Sequence, residues 1–475
     1  MFKKFILSNC ICVLAILSLC PNVYSASMTI DKSVEIKKLS LTPAAEPVPA
    51  LSYKLLPHYI DQKTGNAALF YYSAAGLLPD GDSKDIHEKI NDWLDLPADQ
   101  IDRREAEKVL SSFSNCFRQI KLATQCNSCQ WEMPVEEGYS MLMPQLGGFR
   151  NIIRAMGLKT KLYIADDKID QAMEMLQQGI YMGRNIAEGP TVIQGLVGIS
   201  IEGLMLNQVE GLIQNPDSPN MYWALSSLPY PMIDMHSSIQ FEREMIFFEF
   251  PQLRDLENVV LSPQQASKMI SEIFNKIQEL GAGSDSLPFN GILSTALVMI
   301  HYSDAKKYLT AKGFSQQRIE AMPAAQAVLI YQKQQYLEIA DSMFKWLELP
   351  YDQAQPYIRQ NKEQFNKSIS GQGIKVNILT SLLPALDRVA FIQARLDRNI
   401  SMLRTIEAIR MFAAGNSGKL PESLSEITLV PIPKDPVTGK DFIYDRIDNR
   451  NARLEAPVLS EENDKRPIYE LTLKQ

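Results

Sequence analysis

His236, Glu242, Glu244 and Glu249 are the residues whose types and spacing best suit chemistry, and they share one aromatic-rich stretch of the chain. On a helix, Glu242 and Glu249 lie seven positions apart on one face, and His236, six before Glu242, nearly shares it. An imidazole beside carboxylates can exchange protons with a substrate or begin a metal site. Arg243 and Arg254 offer these acids ordinary ion-pair partners, however, and the ligand set is incomplete. A helix with solvated or paired acids is therefore the expectation. The alternative is a periplasmic helical hydrolase or lyase using His236, Glu242 and Glu249. His58, His87 and His301 are isolated and read as structural.

Other motifs fail on context. Gly198 to Gly203 has one residue too many for a nucleophile elbow and sits in a helical pattern. Ser342-Met343-Phe344-Lys345 and Lys63-Thr64-Gly65 match two penicillin-binding motifs in reversed order. Asp80-Gly81-Asp82 does not follow the calcium-loop template, and Asp82 or Ser83 reads instead as the cap of a helix through Trp93. No cofactor is implied.

The cysteines carry a second question. Cys126-Asn127-Ser128-Cys129 opens no helical periodicity and Pro134 follows, so a thioredoxin-type site is disfavoured. A zinc site lacks its further ligands. Cys116 lies on the apolar stripe of Val109, Phe113 and Ile120, so it should point inward. The expected arrangement is one disulfide from Cys116 to Cys126 or Cys129.

That expectation rests on export. Lys3 and Lys4 precede an apolar run of 15 residues, Phe5 to Leu19, shorter than the roughly 20 needed to span a bilayer. Cleavage between Ser25 and Ala26 fits a secretory signal, and lipidation at Cys20 is disfavoured because Leu19 stands where a small residue belongs. Losing residues 1 to 25 removes Lys3 and Lys4 and no acids, taking the net charge from −7 to −9. That balance argues against nucleic acid, whose phosphates call for clustered cations. With 45% apolar and 22% charged residues, the 475-residue chain is neither disordered nor polytopic, and its length suits two or three domains. The mature protein is expected in the periplasm or outside, without a stable membrane span.

Helical spacing dominates the elements that must position these residues. Leu146, Phe149, Ile153 and Met156, then Ala172, Leu176 and Ile180, describe a helical hairpin broken at Asp166-Asp167. The hairpin resembles a tetratricopeptide unit, but the pattern does not recur at a 34-residue period. Thr191 to Ile213 reads as a buried helix whose Gly195, Gly198, Gly203 and Gly211 permit close helix contacts. Leu386 to Ile409 carries one apolar stripe, ended by Gly415 and Gly418. Short apolar segments at Phe442-Ile443-Tyr444, Ala452 to Glu455 and Tyr469 to Leu473 read as a small sheet. Asp435-Pro436-Val437-Thr438-Gly439 has turn chemistry. Asp435, Asp441 and Asp445, six and four apart, fall short of the oxygen count that calcium takes.

Two resemblances follow from these residues. Leu55-Leu56-Pro57, Asn66 to Tyr72 and Ala187 to Thr191 resemble a group of uncharacterised, signal-bearing bacterial proteins, which implies an exported address and no activity. Leu420 to Leu424 and Pro433 to Lys440, after a long helix and before a strand, look like the globular head of type II secretion pseudopilins. The prepilin cleavage motif is missing.

The expectation is a mainly α protein: an irregular multi-helix body with a tetratricopeptide-like hairpin, and a small C-terminal α+β module. It divides into a signal (1–25), an exposed leader (26–50), a helical domain (51–280), a second helical region (281–383) and the C-terminal module (384–475). Its expected role is as a binding or scaffold module with an envelope protein partner.

Overall fold

The helical patterns read above become helices, and one strand joins them from a segment with no readable pattern. The computed structural model describes residues 36–79, 83–281, 291–372, 377–383, 386–459 and 466–474. The signal with Ser25, Ala26 and Cys20, residues 26–35 of the leader, and Asp80-Gly81-Asp82 lie outside them.

Along the chain, strand β1 (Ile36–Leu41) and β2 (Lys63–Asn66) precede helices α1 (Ala67–Gly76), α2 (Ser83–Asp95), α3 (Arg103–Ser112) and α4 (Ser114–Ala123). Strand β3 (Cys126–Ser128) follows, then α5 (Gln145–Ala165), α6 (Ile169–Ala187), α7 (Val192–Ile213), the short α8 (Tyr222–Ser226) and α9 (His236–Glu249). Next come α10 (Pro263–Gly281), α11 (Gly291–Ala311), α12 (Gln316–Ala321), α13 (Ala324–Phe344) and α14 (Tyr351–Gln372). The chain ends with α15 (Leu386–Gly415) and strands β4 (Ile443–Arg446), β5 (Asn451–Glu455) and β6 (Ile468–Leu473).

These elements form two compact units that interleave along the chain. The larger contains 36–132, 143–238 and 389 onward; the smaller contains 133–142 and 239–388. The division within α9 falls after Ser238. Both units are assembled from segments distant in sequence.

In the larger unit, α5 and α6 form the expected hairpin, with Asp167 at φ 56° in its turn. Helix α7 packs against both and begins at Thr191, whose Oγ1 accepts the Gln194 N–H at 3.1 Å. Such a side-chain cap satisfies a donor that the first helical turn cannot pair. Helix α7 is long and apolar enough to cross a membrane, yet 61% of its most apolar window is buried inside the protein. It is a core helix here, as its interrupting Gln194, Glu202, Asn207 and Glu210 suggest.

The small sheet has strand order β1-β6-β5-β4. Strands β4 and β5 form the expected antiparallel hairpin, and β6 pairs antiparallel with β5. Strand β1 pairs in parallel with β6, Ile36 opposite Ile468 and Leu41 opposite Leu473. Leu39 and Leu41 are buried. Residues 36–41 are thus a strand of the sheet, with Leu39 and Leu41 in the core, and not an exposed leader.

A buried ionic knot fastens this segment to α15. Arg410 donates from Nε to Thr42 O at 2.9 Å, from Nη2 to Ser218 O at 3.1 Å, and from Nη1 to Glu407 Oε1 at 2.7 Å. The other Glu407 oxygen accepts the Met221 N–H at 2.9 Å. Further along α15, Arg398 grips Asp435 with two hydrogen bonds, both side chains fully buried. Asp435 also accepts the Val437 N–H and the Thr438 hydroxyl, completing the turn read from its sequence. Its carboxylate serves an arginine and its own turn, which overturns the alternative of a calcium ligand.

The cysteines correct the disulfide expectation. Cys116, Cys126 and Cys129 are three separate buried thiols. Cys116 does point inward from α4, but its Sγ donates to Leu77 O at 3.2 Å beyond the end of α1. Cys126 Sγ is directed at Leu122 O and packs over Gly65. Burial pushes the Cys116 thiol up to about 11 and raises the other two. Disulfide exchange proceeds through the thiolate, which such burial suppresses at neutral pH. Thiol titration of a chain starting at Ala26 should therefore find three groups in denaturant and slow reaction in the folded state. A cross-linked peptide on non-reducing mass mapping would refute this.

In the smaller unit, α10, α11 and α13 pack through Ile270, Ile273, Ile277, Leu309, Val328 and Leu329. Two buried polar side chains of α13 hold the loop that follows α9. Gln326 donates to Leu256 O and Val259 O, and Lys333 donates to Arg254 O at 2.9 Å and Glu257 Oε2 at 2.7 Å.

Candidate functional site

Helix α9 does place Glu242 and Glu249 on one face, about 10 Å apart along its axis at 1.5 Å per residue. Across that face runs a short 3₁₀ segment, Val135–Ser140. It is irregular because Pro134 cannot donate a hydrogen bond and Gly138 adopts φ 58°. At Gly138 a side chain would collide with Glu249: a Cβ would stand 3.0 Å from the Glu249 Cα. The next residue, Tyr139, donates its N–H to Glu249 Oε2 at 2.8 Å. Lys276 of α10 stands 3.6 Å from Glu249 Oε1 and donates to the Ser140 hydroxyl at 3.2 Å.

Around Glu242 the environment is different. Burial raises its carboxyl to about 7, well above the ordinary carboxylate range. Two phenols, Tyr139 and Tyr336 of α13, lie within its electrostatic reach. Tyr336 is only 1% exposed, and the hydroxyls of Tyr336 and Tyr139 neighbour each other. Burial first and the Glu242 carboxyl after it push both phenols upward; the neighbouring Tyr336 raises Tyr139 further, whereas the hydrogen bond with Tyr139 lowers Tyr336. The cluster is thus a carboxyl whose ionisation is shifted up toward neutrality, beside two phenols shifted up as well.

The remaining residues singled out by sequence are placed as follows. His236 begins α9 in the larger unit, partly exposed, with Nδ1 3.9 Å from Asp234 Oδ1. Glu244 approaches Arg254 at 4.0 Å, and Arg243 pairs with Asp341. Beside Glu249 is an open cleft of about 410 Å³ lined also by Phe250, Gln252, Glu272, Lys276 and Glu279. The structure therefore brings Glu242 and Glu249 under one segment and leaves His236 at the start of the helix in the other unit. Tyr139 and Tyr336 escaped sequence reasoning. Gly138, after Pro134 in a stretch without periodicity, was the only local signal of a close backbone approach.

A second buried acid belongs to the larger unit. Asp397 of α15 accepts the Met232 N–H at 2.8 Å, and burial raises it from 3.8 to about 7. Its unfolded form releases a proton near pH 4 while its folded form retains it to about 7. Folding stability should therefore fall as pH rises through that window, by about 4 kcal/mol in all. Denaturant unfolding at pH 4.5 and 7.5 should show this slope for the native chain. Asp397→Asn should remove that share, and an unaltered slope would contradict the assignment.

The fold and site define a mainly helical protein with a small four-stranded sheet in its C-terminal region and, on α9, a Glu249 held by the Tyr139 N–H and Lys276. No protein-family model, curated protein or solved structure matches this chain.

Proposed function

We propose that the protein is an exported envelope component that acts by binding a protein partner, as a scaffold and not as a catalyst. Export rests on the basic start, the apolar run from Phe5 to Leu19 and the small residues at Ser25 and Ala26. Binding rests on one observation, the unequal edges of the small sheet. The outer side of β1 is covered, since the Ser40 N–H donates to Gln214 and Lys37 pairs with Glu210 at 2.8 Å. Strand β4 at the other edge pairs with β5 alone among the described residues. Ile443 on β4 and Ile447 just beyond it are exposed. An uncovered edge offers backbone N–H and C=O groups to an extended segment of another chain, with neighbouring apolar side chains for specificity.

The test is site-specific photo-crosslinking in envelope preparations. A photoreactive residue at position 443 should yield a discrete protein adduct, and one at the exposed Lys38 should not. Equal adducts at both positions, or none at 443, would refute binding through this edge.

A further inference from the structure

Strand β4 divides its backbone groups between two directions. Just beyond it the Ile447 N–H donates to Asn451 O at 2.8 Å, while Asp445 stands opposite Arg453 and Ile443 opposite Glu455. Hydrogen-bonded pairs alternate along an antiparallel ladder, so residues 443, 445 and 447 direct their N–H and C=O groups to β5. Those of Tyr444 and Arg446 therefore point to the uncovered edge. Side chains alternate in the same register. Tyr444 and Arg446 turn to one face, where Tyr444 Oη donates to Pro421 O at 3.0 Å and Arg446 Nη1 stands 3.3 Å from Glu422 Oε1. The other face carries Asp441, Ile443, Asp445 and Ile447, all four exposed.

We propose that the partner bound at this edge is an extended protein segment that alternates lysine or arginine with apolar residues along one of its faces. This rests on the reading of β4 as the binding edge, and adds what that edge selects.

Backbone pairing accepts any extended chain, so selection falls to the side chains beside it. A strand laid against Tyr444 and Arg446 sets every second side chain next to the row of 441, 443, 445 and 447. The two carboxylates of that row have no ion pair among the described residues. Arg453, opposite Asp445, pairs with Glu455 at 2.7 Å. A lysine or arginine beside Asp441 or Asp445 supplies the missing charge, and an apolar residue between them covers Ile443 or Ile447. A second copy of β4 does not fit. On this face it brings two more acids and no base, and like charges facing across strands repel.

Two synthetic peptides test this on the purified protein. Both alternate threonine with a second set of residues, lysine-valine-lysine-valine in one and glutamate-valine-glutamate-valine in the other. Fluorescence anisotropy at low salt should show the lysine peptide binding roughly tenfold more tightly, a preference that shrinks as salt rises. Asp441→Lys combined with Asp445→Lys should reverse the order. Residue-resolved hydrogen exchange should show the lysine peptide protecting the Tyr444 and Arg446 amides, while those of Ile443 and Asp445 exchange slowly already. Equal affinity for both peptides, with Tyr444 and Arg446 protected, overturns the charge preference and leaves the edge as a binding surface. Preference for lysine without that protection overturns the proposal together with the edge reading. If neither peptide binds, the proposal fails, and the adduct at position 443 alone decides the edge.

Discussion

Arg398→Ala is expected to cost the larger unit about 3–5 kcal/mol, measured by denaturant unfolding. The expectation follows from what the substitution leaves behind. Arg398 Nε and Nη2 donate to the two Asp435 oxygens at 2.8 and 2.9 Å, and neither side chain is exposed to water. Alanine removes the guanidinium but leaves the Asp435 charge in a dry site, with only the Val437 N–H and the Thr438 hydroxyl to stabilise it. An uncompensated buried charge is far costlier than the pair was favourable. The same logic fixes the double variant. Arg398→Met with Asp435→Asn removes both charges together, so it should lose clearly less than the two single changes added. Additive losses, or an Arg398→Ala variant within about 1 kcal/mol of the native chain, would show that the pair does not behave as a desolvated unit.

The Asp435 turn and the Arg398 pair also show what the sequence could and could not disclose. The turn was legible because its chemistry is local: an aspartate accepts from residues two and three ahead, and Gly439 takes the positive φ of 69°. The arginine was not, since it lies within an apolar stripe and its partner is 37 positions away. The same distinction separates α7, read correctly from its composition, from β1. Strand β1 carries no clear alternation, and its pairing of Ile36 with Ile468 spans nearly the whole chain. Interleaved units are hidden for the same reason, because contacts between distant segments leave no composition shift at a boundary. At the candidate site, the shared face of Glu242 and Glu249 follows from helical spacing. Their covering by Tyr139 depends on a loop excursion that no periodicity marks. Cys116 was read correctly as inward-facing, but its neighbour proved to be the end of α1.

Two glycines of α7 should respond oppositely to enlargement, although their sequence contexts look alike. A Cβ at Gly198 would lie 2.5 Å from the Gly183 carbonyl oxygen and 2.7 Å from the Ala187 Cβ. Those are a backbone atom and a methyl on the neighbouring α6, so no side-chain rotation relieves the overlap, and the helices must separate. Gly198→Ala should cost about 1–3 kcal/mol, and Gly198→Leu more, because its larger side chain also displaces packed neighbours. At Gly203, by contrast, a Cβ meets nothing within 4 Å. The expectation that this glycine serves a close helix contact is not met. Gly203→Ala should instead stabilise the helix by about 0.5–1 kcal/mol, since alanine loses less backbone freedom on folding. Thermal unfolding of the two alanine variants provides the decisive comparison. A lower melting temperature for Gly198→Ala and an unchanged or higher one for Gly203→Ala would place the α6–α7 contact at Gly183 and Ala187. A comparable loss at both would mean that α7 is held closely along its whole length, with a second contact over Gly203.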